Sequence, residues 1–293
     1  MRTVDERTIT DAVLDAMRDA PDPRLHEVMT ALVRHLHDFA REVRLTEDEW
    51  ATAIQFLTDT GHITNANRQE FILLSDVLGL SMLVVAQNHA TPAGATEATV
   101  LGPFFVEGAP DVANGADIAN GAKGRPSLVR GRVLDLAGDP ISGATIDVWQ
   151  SDEEGYYDVQ RPAAGGDAAA PEPQARARLR SEQNGRFWFR SVLPEHYPIP
   201  HDGPVGAMLD QLGRHPWRPA HLHFWIDAPG HERLITHVFR DGDPYLDSDA
   251  VFGVRSSLIT HWQRHEAGKT PDGEQSSTPF YTLDFNFVLN PSK

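Results

Sequence analysis

The stretch "RPAHLHF", residues 218–224, sets two histidines one residue apart inside a run that reads as a β-strand. Side chains at i and i+2 of a strand leave from the same face, so His221 and His223 point the same way. Arg218 stands three residues ahead of the first. Two adjacent cations in so apolar a run would repel each other, and two neutral rings would each need a partner. A shared metal ion answers both demands, because neutral imidazole is the commonest protein ligand to metals. Two imidazoles do not complete a site. The chain has no cysteine, which removes thiolates and leaves oxygen donors. Asp227 lies on the same strand face, toward its end. Two tyrosines are better placed: Tyr157 in "EEGYYDVQ", just past "TIDVWQ", and Tyr197 in "PEHYPIP". Pro194, Pro198 and Pro200 stiffen the second loop, as suits a side chain that must be aimed. A phenol of ordinary pKa about 10 ionises at neutral pH only beside a strong positive charge. Two phenolates with two imidazoles make a hard, anionic set that suits Fe(III) better than Zn(II) or Fe(II).

These residues need a scaffold, and the sequence divides into two kinds of pattern. Leu25, Val28, Met29, Leu32, Val33, Leu36, Phe39 and Val43 recur with a period near that of a helix. Thr46 with Glu49 forms a capping-box pattern that opens "TEDEWATAIQFLTDTG", a helix expected to stop at Gly61. "FILLSDVLGLSMLVVAQN" is apolar on all sides, which predicts a helix buried against other helices or a partner subunit. From "SLVRGRVLDLAGDPISGATIDVWQSD" onward, apolar and polar residues alternate between turn signals, and "RFWFRSVL", "AHLHFWIDA", "RLITHVFR" and "YTLDFNFVL" follow as strands. The expected fold is α+β: a helical N-terminal region over 1–95, a Gly/Ala/Pro-rich linker over 96–127, and an antiparallel β-sandwich catalytic domain over 128–293. The low-complexity stretch 161–177 reads as a loop.

Composition narrows the function classes. A formal net charge of -16 over 293 residues disfavours nucleic acid or an anionic membrane as the main partner. No apolar run reaches spanning length, and "MRTVDERTIT" lacks a signal-peptide core, so a cytoplasmic location is the expectation. The large apolar helix faces predict a homodimer through the N-terminal region.

The ordered motifs "TVLGPFF", "GRVLDLAGDPISGATIDVWQSDEEGYYD", "LPEHYPIPHDGPVGAMLDQLGRHPWRPAHLHFWIDAPGH" and "FRDGDPYLDSDAVFGVR" resemble the intradiol ring-cleavage dioxygenases. These non-haem Fe(III) enzymes open catechols between their two hydroxyls with O2. The likeness runs from about residue 10 to the C-terminus, and "HYPIP" and "TVLGPFF" are most similar to the hydroxyquinol-cleaving branch. The resemblance implies Tyr157, Tyr197, His221 and His223 as iron ligands, with Tyr157 selected over Tyr156 by a G-x-Y motif. It implies catalytic roles for Arg218 and His237, and for Tyr197 as the ligand that gives way to substrate. A ring pocket of Leu73, Val100, Gly102, Pro103, Phe104, Ile199, Pro200 and Val251 is implied too, together with a lipid-like molecule between the helices of two subunits. Asp76, a carboxylate among apolar neighbours, either accepts a hydrogen bond from a third ring hydroxyl or caps a helix. Catechol or chlorocatechol is the alternative substrate. A cupin-type metalloenzyme using Asp227 and His237, or a non-catalytic transthyretin-like binding module, is the more distant alternative.

Overall fold

The computed structural model describes residues 3–65, 68–89, 92–161 and 172–292. Most of the low-complexity stretch, 162–171, lies outside them. The chain forms two compact units, Met1–Asp59 and Thr60–Lys293.

The first unit is helical. Helix α1 (Ile9–Ala16) meets α2 (Pro23–Val43), where Thr10 Oγ1 lies 3.0 Å from His37 Nδ1 and accepts from Arg41 Nη2 at 2.5 Å. Asp22 starts α2 by accepting from the backbone N–H groups of Arg24 and Leu25, with Pro23 at the first helical position, where its missing N–H costs nothing. Thr46 and Glu49 exchange the reciprocal bonds of a capping box at the start of α3 (Glu47–Ile63). That helix runs past Gly61 to Ile63, so the glycine does not end it. The periodic face of α2 is largely uncovered: Leu25, Val28, Leu32, Leu36, Phe39 and Val43 are each between 45% and 57% exposed.

The second unit takes in the last residues of α3, Thr60–Ile63, and then α4 (Glu70–Val77) and α5 (Leu80–Asn88). The expectation of one buried apolar helix here is corrected twice. Gly79, at φ 73, breaks it, and the two halves are bent by 78°. Only Glu70, Leu73, Asp76, Val77 and Met82 of the pair are buried, while Phe71, Ile72, Leu80, Leu83 and Val84 are exposed.

The strands of this unit are β1 (Pro126–Leu134), β2 (Thr145–Gln150), β3 (Arg176–Arg180), β4 (Arg186–Val192), β5 (Tyr197–Pro198), β6 (Trp217–Arg218), β7 (His221–Asp227), β8 (Leu234–Arg240), β9 (Ile259–Thr260), β10 (Gln263–His265), β11 (Gly268–Lys269), β12 (Gln275–Ser276), β13 (Phe280–Asp284) and β14 (Phe287–Val288), with helix α6 (Pro204–Gln211) between β5 and β6. One sheet runs β3-β2-β7-β8-β9; the other runs β10-β13-β1-β14, with β4 also on β1. The long pairings are antiparallel, as expected, but β1–β13, β1–β14 and β8–β9 are parallel. The core between the sheets takes alternate residues of each strand: Ile146 and Val148, Phe187 and Phe189, Leu222, Phe224 and Ile226. Period 2 then forces His221 and His223 onto the opposite face of β7, away from that core.

Candidate metal centre

Strand register assembles the floor of the site. His223 pairs with Trp149 of β2 on one side and with His237 of β8 on the other. The Trp149 indole stacks on the His223 ring, with centroids 4.7 Å apart and planes 14° from parallel. His221 Nε2 and His223 Nε2 come within 3.0 Å of each other. Two loops supply the oxygens. After β2, Asp152 folds the chain back by accepting from the N–H groups of Glu154 and Tyr156, and the Tyr157 hydroxyl arrives 2.8 Å from His223 Nε2. The β5–β6 ladder places Tyr197 opposite Arg218. Gly155 permits the two loops to meet: at φ 81 a Cβ there would sit 3.0 Å from the Tyr197 Cβ. The tyrosine rings lie 5.1 Å apart at 79°. Tyr157 and Tyr197 are fully buried, whereas Tyr156 is 51% exposed and outside this cluster.

The hydrogen-bond partners settle which His221 nitrogen faces inward. Its Nδ1 lies 2.7 Å from the Pro219 carbonyl, which only accepts, so Nδ1 carries the proton and Nε2 presents a lone pair. Arg218 Nη1, a donor only, lies 3.2 Å from that lone pair and 3.4 Å from the Tyr197 hydroxyl. The rest of the guanidinium forks onto Asp249 at 3.0 and 3.2 Å. Asp249 is itself held by the N–H groups of Val251 and Gly253.

Electrostatics follow from burial. Desolvation, aided by the neighbouring Arg218 charge, holds His221 and His237 well below the usual imidazole range. His223 is lowered by burial and by both neighbouring histidines. All three rings are therefore neutral at neutral pH, the form that binds metals. Burial pushes both phenols up, Tyr157 further because Tyr197 lies beside it. Burial also opposes the Arg218 charge, yet Asp249 and the phenols outweigh it and make the guanidinium more basic than usual.

The donor set fits a small, highly charged cation. Two neutral imidazoles and two phenols from separate elements converge in a water-poor pocket, and only a strong positive charge would ionise phenols so deeply buried. His221, His223 and His237 also form a cluster with ligand atoms within 4.8 Å of one another. In that cluster His237 Nε2 lies 2.8 Å from His223 Nδ1, on the far edge of the ring from Tyr157. Asp227 is not at the site: it accepts from Trp225 Nε1 at 2.5 Å and from Arg233 at 2.8 Å near the strand's end. The cupin arrangement lacks its acid.

A cavity of about 670 Å³ is lined by Leu73, Pro103, Phe104, Ile199 and Pro200 among others, and by Tyr156 but neither Tyr157 nor Tyr197; Phe104 links it to the phenols. Phe104 stacks on Tyr157 at 4.5 Å. Val100, Gly102, Val251, Asp76 and Arg218 are buried without lining the cavity. A Cβ on Gly102, at φ 78, would meet the His223 ring at 3.2 Å. Asp76, on the same face of α4 as Leu73, is buried, and its Oδ2 has no hydrogen-bond partner among the described residues. Burial lifts its carboxyl to about 6, against the opposing Ser81 hydroxyl and Arg218 charge. Sequence reasoning missed Asp249 and Thr99, whose Oγ1 lies 2.9 Å from His237 Nδ1. Both fall inside quoted motifs, but neither type announces a site by itself.

Residues 100–291 match the family described as dioxygenase, and residues 22–96 match the catechol dioxygenase N terminus. The chain is 56% identical to 6-chlorohydroxyquinol 1,2-dioxygenase of Cupriavidus pinatubonensis, covering 100% of both chains. It is 51% identical to hydroxyquinol 1,2-dioxygenase of Nocardioides simplex, over 98% of this chain and 96% of the relative. The crystal structure of hydroxyquinol 1,2-dioxygenase from Pseudomonas putida superposes with a TM-score of 0.86 at 48% identity, covering 98% of this chain and 99% of the other. With motifs, fold and full-length relatives in agreement, the chain belongs to the intradiol ring-cleavage dioxygenases.

Proposed function

We propose that this enzyme opens hydroxyquinol (1,2,4-trihydroxybenzene) between its adjacent hydroxyls with O2, giving 3-hydroxy-cis,cis-muconate, a tautomer of maleylacetate, at an Fe(III) held by Tyr157, Tyr197, His221 and His223. The observation that carries the reading is the meeting of two buried phenols with two imidazole Nε2 atoms, behind a Phe104 ring that lines a 670 Å³ cavity. Relatives named for hydroxyquinol substrates at 51% and 56% identity support the choice of ring. Bound there, Fe(III) supplies a Lewis acid that keeps phenolates ionised and draws electron density from a chelated diol.

The chain's own residues do the rest. Tyr197 Oη is the proton acceptor for a substrate hydroxyl, held opposite Arg218 by the two-residue β5–β6 ladder. Arg218, anchored by Asp249, keeps its charge at any working pH and balances negative charge on the activated ring. Leu73, Phe104, Ile199 and Pro200 hold the ring's faces and exclude water. Asp76 accepts a hydrogen bond from the hydroxyl that catechol lacks; the free Oδ2 supports this over the helix-cap alternative. A homodimer through the N-terminal helices, with a lipid-like molecule at its interface, is supported by the uncovered face of α2. A cytoplasmic location accords with the absence of cysteine.

Oxygen uptake on hydroxyquinol, 6-chlorohydroxyquinol, catechol and chlorocatechols tests the substrate. Hydroxyquinols are expected to turn over at least tenfold faster, and equal turnover of catechol refutes the assignment. A red-brown phenolate-to-Fe(III) absorption in the purified enzyme, lost in Tyr157→Phe and weakened in Tyr197→Phe, tests the metal.

A further inference from the structure

The three-membered relay behind the metal site carries an unresolved choice of hydrogen positions. His223 Nδ1 faces His237 Nε2 at 2.8 Å, and His237 Nδ1 faces Thr99 Oγ1 at 2.9 Å. Thr99 is pinned beside β8 by its own N–H, which donates to the Ile235 carbonyl at 2.9 Å. Thr99, His223 and His237 are all buried, so their polar atoms must find partners in this cluster, which for His223 Nε2 means Tyr157 Oη and His221 Nε2.

Two arrangements of protons satisfy these distances. In the first, the threonine hydroxyl donates to His237 Nδ1, and His237 Nε2–H donates to His223 Nδ1. His223 then carries its proton on Nε2 between two acceptors, the lone pair of His221 Nε2 at 3.0 Å and the Tyr157 hydroxyl at 2.8 Å, and without that proton the two imidazole lone pairs would face each other. In the second, every donor reverses: His223 Nδ1–H donates to His237 Nε2, and His237 Nδ1–H donates to Thr99 Oγ1. Only the second leaves an Nε2 lone pair on His223. His221 has no such freedom, because the Pro219 carbonyl fixes its tautomer. A hydroxyl both donates and accepts, so among side chains of this size threonine and serine serve both arrangements while valine serves neither.

We propose that metal loading drives the relay from the first arrangement to the second, with Thr99 as the positioning residue whose hydroxyl turns from donor to acceptor. The inference rests on the reading above that His223 Nε2 is a metal ligand. One proton leaves His223 Nε2 for solvent, one crosses from His237 Nε2 to His223 Nδ1, and one arrives from solvent at His237 Nδ1. Each ring holds one proton before and after, the hydroxyl only rotates, and the relay's net charge is unchanged.

Imidazole nitrogen NMR on the full-length protein, first stripped by chelator and then loaded with Ga(III) as a diamagnetic trivalent probe, reads the tautomers directly. His223 and His237 are expected to exchange their protonated nitrogens on loading, while His221 keeps its Nδ1 proton. Thr99→Val strands a buried N–H in the loaded form and should lose Fe(III) to a chelator roughly tenfold to a hundredfold faster, with Thr99→Ser restoring the parent rate. Unchanged tautomers on Ga(III) loading, or a valine variant that holds Fe(III) as the parent does, overturn the relay while leaving the ligand assignment standing. If Ga(III) leaves both tyrosine rings unshifted and the iron protein lacks the phenolate band, the ligand reading itself fails and the relay with it.

Discussion

At the scale of single residues, each side chain around the site does work that a near neighbour in type would not. Arg218 divides a planar fork between Asp249 and the pair formed by His221 Nε2 and Tyr197 Oη. A lysine would keep the charge and lose the geometry. Arg218→Lys is expected to lower kcat by about a hundredfold while the iron absorption survives, as stopped-flow kinetics and a visible spectrum would show. Asp76 makes a prediction with a definite sign. Its folded carboxyl titrates near 6, above the ordinary value of 3.8, so the folded state favours the protonated form. That contribution is present in full below the ordinary value and is lost as pH rises through about 6. Denaturant unfolding of metal-stripped protein at pH 4 and pH 8 should therefore show Asp76→Asn gaining on the order of 2 kcal/mol relative to the parent at the higher pH. The same variant should narrow the preference for hydroxyquinol over catechol, because its amide can donate as well as accept.

Among the elements, α2 stands out because a row of large apolar side chains on it stays widely exposed among the described residues. Six large side chains at helical spacing are each about half exposed. Their remaining burial in a partner would be worth roughly 0.7–1.5 kcal/mol apiece before the entropy of association is subtracted. Leu32→Asp with Leu36→Asp is expected to convert a dimer to a monomer by light scattering at micromolar concentration while leaving the iron absorption unchanged. A parent that is already monomeric would contradict the dimer. Strand β7 shows how one element serves two masters: Leu222, Phe224 and Ile226 enter the sandwich core, while His221 and His223 enter the site. Its histidines were legible in the sequence because period 2 is a local property. The break between α4 and α5 was missed although Gly79, the residue that tolerates φ 73, stands inside the run, because the continuous apolar pattern outweighed one glycine.

For the molecule as a whole, metal loading should be coupled to protons. The histidines lie well below their usual range and bind as neutral rings, so they release nothing at neutral pH. The two phenols lie above theirs and must each give up a proton. About two protons should leave per ion bound, and calorimetry of Ga(III) loading from a chelate, in buffers of different ionisation enthalpy, counts them once the chelator's own protons are subtracted. Release near zero would mean the phenols stay protonated. Among the described residues no single helix is long and apolar enough to cross a membrane.

What the sequence determined by itself is what short range controls: paired imidazoles on one strand face, the capped helices, the alternation of the sandwich strands, and the ordered motifs of the family. The G-x-Y spacing already pointed to Tyr157 over Tyr156, but only the tertiary structure shows what turns that ring inward, a turn built on Asp152 and Gly155. The same holds for Asp249 behind Arg218 and Thr99 behind His237, partners 31 and 138 residues apart in the chain. Such pairs are made by sheet register and loop closure, and no local pattern encodes them.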